Sequence, residues 1–105
     1  MAKVKAYVYK VPGVFDSSYR VYPAVVVLSA NDKFQLVNTV DDHDAELSVP
    51  EGVFDGGEVK KEKVARKSAS TEKTPKNAIV SAQYKVHIDG EDASGNSDPV
   101  IIIDP

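Results

Sequence analysis

The chain has 105 residues, 42% of them hydrophobic and 28% charged, with 13 Lys and Arg against 16 Asp and Glu. That is enough for one domain around one core, and it excludes collagen-like, disordered and membrane-spanning classes. With no Cys, disulfide frameworks, thiolate metal sites and cysteine nucleophiles are excluded, and a net charge of −3 offers no global field for nucleic acid or anionic lipid.

The dominant periodicity is two, the spacing at which successive side chains of a strand point to opposite faces. Near the N-terminus, Val4, Ala6 and Val8 oppose Lys5, Tyr7 and Tyr9. Phe34 and Leu36 oppose Gln35 and Val37, while Ala45, Leu47 and Val49 oppose Asp44, Glu46 and Ser48. The clearest case is Val80, Ala82, Tyr84, Val86 and Ile88 against Ser81, Gln83, Lys85, His87 and Asp89. Two β-branched runs do not alternate, Ala24–Leu28 and Val100–Ile103, and these predict strands covered on both sides.

Turn residues separate the runs: Pro12-Gly13, Asn31-Asp32, Pro50-Glu51-Gly52, Asp55-Gly56-Gly57, and Asp89-Gly90 through Asp98-Pro99. The pattern predicts about seven strands, near 3–11, 19–28, 33–38, 44–49, 58–65, 79–89 and 99–103. The stretch Glu58–Lys67 also fits a short surface helix, but with only Val59, Val64 and Ala65 apolar it favours a charged edge strand. Pro23 removes a ladder donor, so the second run begins at a sheet edge or bends there. Without a helix to cover a sheet face, two sheets must cover each other. The expectation is an all-β, antiparallel Greek-key β-sandwich occupying residues 1–105 as one domain. Residues 65–77 have nothing to bury and are expected to form a flexible basic loop.

The stretch from Val25 to Val53 resembles the cupredoxin-like sandwiches. An Asn31-Asp32 turn leads to the strand Phe34–Asn38, then to the loop Thr39-Val40-Asp41-Asp42-His43, and Pro50-Glu51-Gly52-Val53-Phe54 follows. Tyr84-Lys85-Val86-His87-Ile88 resembles the strand that carries the copper-binding Cys in that family, and Val100–Ile103 its closing strand. The resemblance implies the fold and places His43 at a copper-ligand position. A blue-copper centre needs two His and a Cys thiolate. Here position 88 is Ile, no His follows in 89–98 and the single Met is Met1, so type 1 copper chemistry does not carry over. An immunoglobulin-like sandwich fits the same strand pattern.

Four groups of residues are candidates for function. Asp41, Asp42, His43 and Asp44 could hold a divalent ion through one imidazole and several carboxylates. Asp89, Asp92 and Asp98 lie in an oxygen-rich loop whose spacing fails the EF-hand register, because its sixth residue is Ser94 and its twelfth Ile101. Tyr7, Tyr9, Tyr19, Arg20 and Tyr22 have the composition of a protein interface. The segment 59–76 carries seven cations against two anions. Its Lys60, Lys61, Lys63, Arg66 and Lys67 form a candidate anion-binding loop.

No nucleophile elbow, phosphate loop or dinucleotide fingerprint is present in the sequence. The leading expectation is therefore a non-enzymatic, cofactor-free module that associates with protein, a second copy included, rather than with membrane or nucleic acid. A divalent-metal protein using the 41–44 and 89–98 loops is the alternative. The N-terminus shows no secretion signal, which makes the cytoplasm the default location.

Overall fold

The computed structural model describes residues 2–12, 18–93 and 98–105. Every regular element among them is a strand: β1 (Lys3–Val11), β2 (Ser18–Tyr22), β3 (Val25–Leu28), β4 (Lys33–Asn38), β5 (Ala45–Val49), β6 (Val59–Val64), β7 (Ser68–Ala69), β8 (Val80–Gln83), β9 (Lys85–Ile88), β10 (Glu91–Asp92) and β11 (Val100–Ile103). No helix long and apolar enough to cross a membrane occurs among the described residues.

One sheet has the order β2-β1-β4-β7, a second β10-β9-β5-β6, and a third β3-β11-β8. The last two form one layer, because β8 and β9 are halves of a single extended run interrupted at Tyr84, whose amide donates to Pro99 O at 2.9 Å. The alternating apolar residues of all three sheets meet in one core, where Phe34 of β4 stacks on Phe54 and meets the Tyr84 ring edge-on. Closing both apolar faces on each other makes the molecule a β-sandwich.

Several expectations are corrected. The predicted 19–28 strand is two strands in different sheets, because the chain passes from one layer to the other at Pro23. The 79–89 strand divides at Tyr84, since β8 pairs with β11 while β9 pairs with β5. With β7 and β10 added, seven predicted runs become eleven strands. The sheets are not purely antiparallel: β1 runs parallel to β4, and β3 parallel to β11. Alternation reports which face a residue occupies and is the same for either pairing direction, so sequence pattern is blind to this.

The β-branched runs are not covered on both sides. In β3, Val26 and Leu28 are buried while Val25 and Val27 are 49% and 55% exposed. Within 65–77, expected to have nothing to bury, residues 68–73 are hydrogen-bonded along β4 and 74–76 along 53–55. Ser70 is buried, and its hydroxyl accepts from Leu36 N at 3.0 Å. Phe34 and Lys73 exchange both main-chain bonds, and Lys76 N donates to Val53 O at 2.9 Å.

Candidate functional site

The two acidic loops named from sequence do converge, at His43. The loop that carries it is set by Asn38, the last residue of β4, whose side chain points inward and is wholly buried. Its amide nitrogen donates to His43 O at 3.0 Å and Val64 O at 3.2 Å, and its oxygen accepts from Val40 N at 3.0 Å. A buried amide this well satisfied specifies one loop path. The other loop turns on Asp89-Gly90, with φ of 52° and 77°, the pair of positive values that a tight two-residue hairpin needs.

Between these loops, His43 Nδ1 lies 3.0 Å from Asp42 Oδ1, and Nε2 lies 3.2 Å from Asp89 Oδ1. The Tyr19 hydroxyl donates to Asp89 Oδ2 at 3.3 Å, and the Tyr19 ring stands edge-on to the imidazole at 6.3 Å. Lys10 reaches Asp42 at 3.4 Å. Hydrogen bonding to His43, then to Lys10, holds the Asp42 carboxyl below the usual carboxylate range, and the bond to Asp42 raises Lys10. Burial, then the nearby Asp89 charge, raises the Tyr19 phenol. Both ring nitrogens of His43 thus face carboxylate oxygens, one from each loop.

The remaining candidate metal ligands lie in other pairings. Asp44 accepts from Arg66 N at 3.0 Å and pairs with Lys63 at 3.4 Å, and these bonds lower its carboxyl. Asp92 meets His87 at 3.3 Å and Lys85 at 3.6 Å, while Asp98 meets Lys85 at 3.1 Å, which raises Lys85. Asp41 is exposed. Among the described residues, no group of three or more His, Asp or Glu side chains is arranged to hold a metal ion. Ser94 to Ser97 of the 89–98 loop lie outside the described residues.

The five cations of the candidate anion-binding loop do not converge. Lys63 and Arg66 are engaged with Asp44, and Lys67 sits in a turn at φ 54° with its amide on Val40 O. Lys60 and Lys61 flank a cleft of about 350 Å³ beside the step from β8 to β9 at Tyr84, with Glu58 and Asp98 also on its walls.

The tyrosine set splits. Tyr19 is 3% exposed and belongs to the core, which corrects its assignment to an interface. It occupies an inward position of β2, so its ring packs inside while its hydroxyl reaches Asp89. Tyr7, Tyr9, Arg20 and Tyr22 share the outer face of β1 and β2, with Tyr7 opposite Tyr22 and Tyr9 opposite Arg20. Arg20 Nη1 donates to Tyr19 O at 3.1 Å.

A second surface was not foreseen. On the outer face of β3-β11-β8, Val100 lies between Val25 and Gln83, and Ile102 between Val27 and Ser81. Ile79, immediately before β8, is 85% exposed. None of these residues is charged. The other half of the same layer carries Glu46, Lys85, His87 and Asp92 outward, several of them in ion pairs. The only sequence signal was Ala24–Leu28 itself, which an apolar run in a doubly covered strand would equally produce. Comparison with known proteins found no matching family model and no significantly similar curated protein.

Proposed function

We propose that this chain is a non-enzymatic β-sandwich module that works by associating with protein. The observation that carries this reading is the uncharged face of β3, β11 and β8, with Val25 and Val27 open to solvent. Contiguous apolar patches on a folded domain mark interaction surfaces, because leaving them in water costs about 25 cal/mol for each Å². The exposed tyrosines of β1 and β2 offer a second adhesive face on the other layer, of the amphipathic kind enriched at interfaces. We read the sandwich as cupredoxin-like without a copper centre, a reading supported by the Asn38-anchored loop that carries His43 beside the β9–β10 turn. His43 there serves as a clasp between loops, its two ring nitrogens already engaged by Asp42 and Asp89.

Light scattering on size-exclusion fractions at low and high salt, combined with capture from a lysate, tests the association reading. Assembly or capture that persists at high salt and is lost in Val27→Lys supports it, because burial of apolar surface is not screened by salt. A strict monomer that captures nothing, in the native chain and in the variant alike, removes it.

A further inference from the structure

Resting on that reading, we infer that the partner of the β3 face is a second copy of this chain, added edge to edge through antiparallel pairing of β3 with itself. β3 is the end strand of its sheet, with β11 on one side and no neighbour on the other among the described residues. Val100 N donates to Ala24 O and Asp104 N to Leu28 O, both at 2.9 Å, so the even-numbered residues of β3 turn their main-chain groups toward β11. The alternation of a strand then turns the N–H and C=O of Val25 and Val27 to the open side.

That edge is complementary to itself. A two-fold axis through Val26 sets Val25 against the partner's Val27, and Val27 against the partner's Val25. Each pair exchanges two main-chain hydrogen bonds, four in all, and the two protomers close into an isologous dimer with no free β3 edge. The four valines then stand side by side on the outer face, continuous with Val100 and Ile102 on each protomer.

The edge strands of the two sheets in this layer, β3 and β8 in one and β10 and β6 in the other, differ in how they are protected. The β6 edge carries Lys60, Lys61 and Lys63, a register shift against β5, and Lys61 at φ 51°. Charged side chains and bulges of this kind block edge pairing. β3 reads Val25-Val26-Val27-Leu28 and has neither device. Charge does not oppose a copy: identical surfaces meet their own charge, and Val25, Val27, Val100 and Ile102 carry none. An edge of four residues buries far less than the roughly 800 Å² per partner of a stable interface, so the dimer is expected to dissociate on dilution.

Sedimentation velocity on the full chain, from on the order of 10 µM to 1 mM, decides this. The expected result is a monomer–dimer equilibrium weakened at least about tenfold in Val27→Pro, which removes only an outward N–H and is tolerated at an edge. The register is checked independently, because the native chain has no Cys. A mixture of Val25→Cys and Val27→Cys should form a mixed disulfide faster than either variant forms one with itself, the opposed Cα atoms lying about 5.5 Å apart. If Val27→Pro does not fold, the cysteine mixture decides alone, and absence of preferential cross-linking overturns the pairing. A native chain that stays monomeric at every concentration also overturns it. If such a monomer still captures another protein in a Val27→Lys-sensitive way, the association reading survives without this inference. A dimer abolished by Val27→Lys and untouched by Val27→Pro likewise sinks the edge pairing and keeps the association reading.

Discussion

His43 Nε2 stands 3.2 Å from Asp89 Oδ1, joining the loop after β4 to the turn after β9 across one end of the sandwich. The same ring meets Asp42 through its other nitrogen, so one side chain bridges two carboxylates that sequence alone placed in separate candidate sites.

Replacing His43 with Ala should return the Asp42 carboxyl toward the ordinary carboxylate range. Its folded pKa is depressed first by the hydrogen bond to His43, so its contribution to stability is present above the unfolded value and lost as pH falls through the folded one. The native chain should therefore hold its stability to lower pH than the variant. Carboxyl NMR titration together with acid unfolding measures this, and an Asp42 titration unchanged by the substitution would remove the clasp.

Asn38→Ala should be the more damaging change, although Asn38 touches no solvent. It strands the buried carbonyl of Val64 and the amide of Val40, and frees the loop that carries His43. Stranded buried groups cost about 1–3 kcal/mol each, so a loss of about 3 kcal/mol is expected by urea unfolding.

Tyr84→Phe should leave stability unchanged or raise it by about 1 kcal/mol. The Tyr84 hydroxyl is buried with no hydrogen-bond partner among the described residues, and burial pushes the phenol far above its usual range. Deleting an unsatisfied group removes a desolvation penalty and little else. Thermal unfolding checks the sign, and a loss above about 1 kcal/mol would mean the hydroxyl has a partner.

Ser70→Ala should loosen the strap laid along β4. The hydroxyl accepts from Leu36 N and donates to Thr71 O at 3.0 Å, so its loss should cost about 1–2 kcal/mol and raise amide exchange at Leu36. Equal exchange in the two proteins would show that the strap is held by its main-chain bonds alone.

The sequence by itself determined that the fold is all-β, which positions face the core on β4, β5 and β9, and where most turns fall, because side-chain alternation and turn chemistry are local properties. It placed Tyr84 inside and Tyr7 and Tyr9 outside for the same reason. Only the tertiary structure decided which strands neighbour one another, since parallel and antiparallel ladders share one alternation. That choice split the runs at Pro23 and Tyr84 and drew Tyr19 into the core. It also laid 68–73 against β4 and left Val25 and Val27 of an apolar run facing water. Whether a strand is covered on one side or both depends on what packs over it, and that is settled by residues far away in the chain.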